Sequence, residues 1–258
     1  RQTSGIAIDR SVTPHMAYVV SDVGNYVNFI SKFNAGTGVA ANGIDSTLGN
    51  WTTFARVGDI QFDNAGRLFM VQKVSPTGGA TCFVLDKTTG AALNSGKAIV
   101  VGGGAIKRGM GVSGDGNTVY LADESLDIVW KATGDASSIN STSNVTYSLA
   151  TFVNYANTAA NPSACEVDAN GNVYISVTGV SASTTGFVRI EIYNAAGTLV
   201  ETIAPTVPLV DGLPLMPRGV AFSSADAINN DLYVARFTTI NPFDNVVLPA
   251  QFGSGPVA

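Results

Sequence analysis

Two carboxylates and a row of arginines are the side chains whose types and spacing could do chemistry. Arg56, Arg108 and Arg218 each lie within three residues of the start of a short apolar run. Three guanidiniums brought together could grip a carboxylate or phosphate in bidentate fashion. Pairing with acids of neighbouring units is an equally physical use for them. Asp22 and Asp123, with Glu124 and Arg236, follow the second strands of their units and belong near the same rim or the opposite one. Asp59 and Glu166, with Gln61, are polar residues inside otherwise small or apolar runs. Acids in such places can coordinate a divalent cation or line a wet channel.

The remaining candidates are thin. The single histidine, His15, sits in a turn, Pro14-His15-Met16, and no Gly-x-Ser-x-Gly elbow accompanies it. Gly111-Val112-Ser113-Gly114 falls where a strand enters a turn. Gly102-Gly103-Gly104-Ala105-Ile106-Lys107 matches neither phosphate-binding glycine pattern and precedes no helix. Asp168 could open a hand-type calcium loop, but the twelfth position, which needs a bidentate Glu, is Gly179. Two cysteines and one histidine exclude a disulfide scaffold, a Cys/His zinc site and a multi-histidine centre. Cys82 and Cys165 read as small buried hydrophobes. Asn50, Asn140 and Asn144 begin glycosylation sequons.

The elements that must position these residues come from a repeat. A short strand opening on a small residue, a polar turn and an apolar–aromatic–apolar strand recur five times. Gly5-Ile6-Ala7-Ile8-Asp9, Asp59-Ile60-Gln61-Phe62-Asp63, Gly109-Met110-Gly111-Val112-Ser113, Ala164-Cys165-Glu166-Val167-Asp168 and Gly219-Val220-Ala221-Phe222-Ser223 open the units. The aromatics Tyr18, Phe69, Tyr120, Tyr174 and Tyr233 follow at intervals of 51, 51, 54 and 59 residues. Asp/Asn side chains start the intervening turns, and Gly closes them. Third strands are expected over 26–33, 81–86, 127–131, 187–193 and 245–248, and outer strands over 51–56, 97–101, 145–153 and 198–204. No stretch of ten residues carries a 3.6-residue apolar period. The fold class is all-β: a single β-propeller domain over 1–258, with five four-stranded antiparallel blades (six as the alternative) and the last incomplete. Blade repeats span about 5–56, 58–101, 108–153, 163–204 and 218–249.

The small–apolar–small–apolar–Asp opening, the Asp-x-x-Gly-Asn turn and the apolar-Tyr-apolar strand resemble the NHL/SMP-30-like propeller superfamily. Pro217 to Phe222 with Asp231 to Ala235 is the closest stretch, and Asp168 to Tyr174 is next. The resemblance implies, as one option, an SMP-30-like lactonase or hydrolase with a single calcium ion at the central axis. Asp59 and Glu166 would then be its ligands. The initial Glu-Gly-Pro motif of that group is missing here.

Composition sets the rest of the expectation. Charged residues make up 13 %, about half the usual quarter, and the net charge of −5 argues against a nucleic-acid backbone as partner. No run reaches the roughly 18 apolar residues of a membrane helix. Sparse charge and many Gly, Thr and Asn suggest an exported protein, at the cell surface, outside it or in a periplasm. The leading expectation is a non-catalytic interaction or structural module without cofactor, engaging protein partners or copies of itself. The calcium-dependent hydrolase is the alternative, and a small-anion or glycan binder at the arginine-lined mouth is a second one.

Overall fold

The structure, a computed structural model, describes residues 2–23, 27–37, 57–72, 80–103, 107–156, 158, 160–179, 189–203, 216–222 and 232–237. Every sheet in it is an antiparallel meander. Strands β1 (Gln2–Asp9), β2 (Met16–Val23) and β3 (Val27–Asn34) form a three-stranded sheet. Four-stranded sheets follow from β4 (Val57–Phe62), β5 (Leu68–Gln72), β6 (Ala80–Leu85) and β7 (Val100–Val101), and from β8 (Lys107–Val112), β9 (Thr118–Asp123), β10 (Ile128–Thr133) and β11 (Ser148–Asn154). The next comprises β12 (Ala160–Val167), β13 (Val173–Gly179), β14 (Arg189–Tyr193) and β15 (Leu199–Ile203), and β16 (Met216–Phe222) pairs with β17 (Leu232–Phe237). The first strands of successive sheets are neighbours: β1 lies by β4, β4 by β8, β8 by β12, and β12 by β16. This is an all-β propeller.

The expected five or six four-stranded blades are corrected. Among the described residues three sheets have four strands, a fourth blade (β1–β3) has three, and β16–β17 is a hairpin and not a blade. The repeat signature covers only the first two strands of a unit, so counting it counts hairpins. The outer strand expected over 51–56 and the third strand expected over 245–248 lie outside the described residues. The outer strand expected over 97–101 shrinks to the two residues of β7, because a 3-10 turn (Asn94–Gly96) occupies the approach to it.

Turn chemistry explains the hairpins. The Asp168 carboxylate accepts the backbone N–H groups of Asn170 (2.9 Å) and Asn172 (2.8 Å), and Gly171 closes the turn at φ 82°. These bonds make Asp168 a turn former, in line with the absence of a calcium-loop Glu.

The core lies between sheets. Leu68 and Met70 of β5 pack with Tyr18, Val20 and Ile30 of the first sheet, whereas the intervening Phe69 and Val71 pack with Met110 and Leu121 of the third. Tyr120 and Ala122 then meet Cys165, Val173 and Ile175. All five residues of β5 are buried because both its faces are covered, which is why apolar residues occupy successive positions. An ionic pair also crosses between sheets, with Lys87 Nζ 2.7 Å from Asp9 Oδ2, and Arg67, paired with Asp63 of its own hairpin, donates across to the carbonyls of Asp115 and Ala136. Cys82 and Cys165 are buried free thiols. No helix among the described residues is long and apolar enough to cross a membrane.

Candidate functional site

Each inner strand carries a one-residue register shift at the same place in its repeat. The shifts fall between Thr3 and Gly5, Val57 and Asp59, Lys107 and Gly109, Pro162 and Ala164, and Pro217 and Gly219. A bulge of this kind bends the strand and re-aims the residue within it. Arg108 and Arg218 occupy equivalent bulges, whereas Arg56 lies outside the described residues. Asp22 stands near the end of β2, opposite Gln2 and Asn28.

Asp123, at the end of β9, is buried. Its carboxylate accepts from Ser125 N (3.0 Å), Ser125 Oγ (2.6 Å), Leu126 N (3.3 Å) and Trp130 Nε1 (3.2 Å). It builds the β9–β10 turn. His15 is exposed in its turn, with Nδ1 3.0 Å from the Val12 carbonyl oxygen.

The residue after each bulge is Gly5, Asp59, Gly109, Ala164 or Gly219, and two further on stand Ala7, Gln61, Gly111, Glu166 and Ala221. These columns are small because the inner strands nearly touch. A Cβ on Gly109 would lie 2.4 Å from Ala164 Cα, and one on Gly111 would lie 3.1 Å from Val167 Cγ2. Only Asp59, Gln61 and Glu166 break the pattern, and the fold brings these three together.

β8 is the end strand of its sheet, so the backbone amides on one of its edges have no hydrogen-bonded partner strand. Side chains from β4 supply the acceptors. Asp59 Oδ2 accepts from Met110 N (3.1 Å), and Gln61 Oε1 accepts from Val112 N (3.0 Å). Asp59 Oδ1 is held by Ile60 N at 2.9 Å. Gln61 Nε2 then passes Gly111 and donates to Glu166 Oε2 at 2.6 Å. One hydrogen-bonded chain thus joins the second, third and fourth sheets. The sequence marked these polar residues but not their meeting; the one available signal was that both β4–β8 bonds span 51 residues, the repeat interval itself.

Asp59 and Glu166 keep some solvent contact while surrounded by protein. Burial pushes the Asp59 carboxyl up to about 7 against the pull of the Met110 and Ile60 amides. Burial, and secondarily the Asp59 charge, push Glu166 up to about 8, with the Gln61 bond opposing. Both values lie above those of the unfolded chain, so the pair's contribution to stability is complete below about pH 4 and is lost as pH rises through 7 to 8. The cation-free protein is therefore expected to melt at a lower temperature at about pH 9 than at about pH 6, and Glu166→Gln to flatten that slope. An unaltered slope in the variant, followed by thermal denaturation, would assign the effect to other groups.

The donor set suits a hard cation only in part. No group of three or more His, Cys, Asp or Glu side chains capable of holding a metal occurs among the described residues. Asp59 and Glu166 nevertheless offer carboxylate oxygens with spare lone pairs, and Glu166 Oε1 takes no hydrogen bond from the described groups. Two carboxylates with solvent completing the shell fit calcium, which accepts six to eight oxygens, better than a nitrogen- or sulfur-seeking metal.

No family model matches the sequence, and no curated protein does. Solved structures do. A luciferin-regenerating enzyme aligns at TM-score 0.57 and 17 % identity, over 95 % of this chain and 74 % of that one. A gluconolactonase from Xanthomonas campestris aligns at TM-score 0.58 and 14 % identity, over 91 % and 69 %. A chain of a nidogen/laminin complex gives TM-score 0.59 and 16 % identity, over 91 % and 72 %. Regucalcin from Agrobacterium tumefaciens, described as a calcium-binding protein, gives TM-score 0.54 and 14 % identity, over 90 % and 81 %. Identities this low speak for the fold alone, and they agree with the resemblance carried by the repeats. In fold, this chain is a β-propeller similar to those of the gluconolactonase, the nidogen/laminin complex and regucalcin.

Proposed function

We propose that the chain is a hydrolase of the SMP-30-like kind, opening a small lactone or ester at the axial end of its inner strands. The observation that carries this reading is the convergence of Asp59 and Glu166, from different blades, on one solvent-touched cluster. The gluconolactonase and the calcium-binding regucalcin among the structural neighbours support it over a non-catalytic module. Asp59 and Glu166 would hold a calcium ion, which when bound supplies a Lewis acid that polarises the carbonyl. The Met110 and Ile60 amides fix the Asp59 carboxylate, and Gln61 fixes Glu166. The Glu166 carboxyl would ionise once calcium is bound, and its Oε1 would then take the proton of the attacking water as the new C–O bond forms. It returns that proton to the leaving alkoxide when the ester C–O bond breaks. The carboxylic acid so formed loses its remaining proton to solvent, and the resulting carboxylate is the group that Arg56, Arg108 and Arg218 would grip if they converge at the mouth.

Glu166→Gln is expected to lower kcat/KM for lactone hydrolysis at least about 100-fold and to cut bound calcium, with cooperative unfolding retained. A wild-type protein that neither binds calcium nor opens any of a panel of aldonolactones would end this reading.

The interaction module remains the second reading, because Leu199 and Val200 stand 48 % and 62 % exposed side by side on the outermost strand β15, and a structural neighbour comes from a protein complex. Export to the cell exterior and self-assembly belong to that reading.

A further inference from the structure

The axial cluster contains one uncharged polar side chain, Gln61, whose hold on Glu166 bears on more than the orientation of that carboxylate. Gln61 faces a donor on one side, the Val112 amide, and an acceptor on the other, the Glu166 carboxylate. We propose that Gln61 is the positioning residue that holds Glu166 in the axial site and limits that site to two carboxylates, thereby setting its affinity for a divalent cation. The inference rests on the hydrolase reading for its cation.

The argument is one of hydrogen-bond parity. A backbone N–H can only donate, so Gln61 must turn Oε1 to Val112. Nε2 is then left to donate to Glu166 Oε2. Among the natural side chains of this length, only an amide offers an acceptor and a donor at the same branch point without taking up a proton. The carboxylate isostere would keep the Val112 bond and place a second acceptor where Nε2 stands, 2.6 Å from Glu166 Oε2. Two carboxylate oxygens at that separation need a shared proton or a cation between them.

Size matters as well as polarity. Gly111 stands between the two side chains' strands, and a Cβ there would come within 3.3 Å of the Glu166 backbone. The absence of that side chain lets Gln61 reach across β8 to β12. A side chain one methylene shorter would keep contact with one partner at most. Asp59 is already committed to Met110 and Ile60, so among the described residues nothing else grips Glu166 Oε2.

The experiment is isothermal titration of calcium chloride into wild type, Gln61→Glu and Gln61→Leu at neutral pH, with urea unfolding run alongside. Gln61→Glu adds a third carboxylate and is expected to bind calcium at least about tenfold more tightly than wild type, because ligand charge sets calcium affinity. Gln61→Leu loses the grip on Glu166 and is expected to bind about fivefold more weakly or not at all. A role confined to packing would alter the urea midpoint and leave the calcium affinities equal, which would overturn the proposal. Should Gln61→Glu not fold, an undiminished affinity in Gln61→Leu overturns it alone. Wild type without calcium binding and Gln61→Glu with it would uphold the role of Gln61 while ending the calcium part of the hydrolase reading. Silence from both proteins would overturn both. Binding by wild type with no gain in Gln61→Glu would overturn this inference and leave the hydrolase reading standing.

Discussion

Gly109→Val is expected to destabilise the protein by about 3 kcal/mol or more, measured by equilibrium urea unfolding. The cause is the approach of β8 to β12. A Cβ at residue 109 would stand 2.4 Å from Ala164 Cα, 3.0 Å from Ala164 Cβ and 3.0 Å from the Ser163 carbonyl oxygen. Two of those three atoms are backbone, so no rotamer change relieves the clash and the strands themselves must part. Parting them would also stretch the chain of bonds from Gln61 to Glu166, and axial chemistry should fall along with stability. Gly36→Ala is the matched control. Gly36 is exposed, its nearest prospective neighbour is Asn34 Oδ1 at 3.5 Å, and the expected change is under about 0.5 kcal/mol. Equal effects at both sites would mean that inner-strand spacing is not what limits residue 109.

Asn94→Ala is expected to cost about 3 kcal/mol, and Asn94→Gly about 1 kcal/mol less than that. Asn94 is fully buried in the 3-10 turn before β7, with φ at 60°. Its Oδ1 accepts from Val145 N (2.6 Å) and Ser143 Oγ (3.0 Å), and its Nδ2 donates to Val145 O (2.8 Å). The side chain thus replaces a strand partner for Val145 and ties the second sheet to the segment leading into β11. Either substitution strands the Val145 amide and carbonyl. Alanine also pays the left-handed backbone strain that glycine avoids, so the order of the two variants in thermal denaturation separates the lost bonds from the dihedral. A glycine variant less stable than the alanine one would contradict this account.

The hairpins were legible because their signals are local. Small–apolar alternation, an Asp or Asn opening the turn and a Gly closing it are written within about fifteen residues, and five hairpins stand where those signals fall. Sheet completeness was not legible. The outer strands differ in length, from the two residues of β7 to the seven of β11, and nothing between Leu93 and Val101 tells that only Val100 and Val101 pair as β7. Asp59 and Glu166 stood out as polar residues in columns of glycine and alanine, which is a one-dimensional observation. Their union through Gln61 depends on the order of sheets around the axis and on the gap at Gly111, which only the packed fold supplies. Asp123 meets the same limit of a one-dimensional reading. An Asp after a strand looks the same whether it faces a ligand or folds back on Ser125 and Leu126. The bulges that set Arg108 and Arg218 at equivalent positions are facts of register, and register appears only once β8 and β16 have partners.

The placement of the apolar clusters between sheets has a consequence for how the molecule can come apart. A lone blade owns two half-interfaces and no interior, so it has no state in which its own Leu, Val and Phe side chains are dry. The second and third sheets together own a complete one, from Phe69 and Cys82 on one wall to Met110 and Leu121 on the other. The smallest piece able to stand by itself is therefore a pair of adjoining sheets. Local opening should travel in such pairs, with a wall always lost from two neighbours at once.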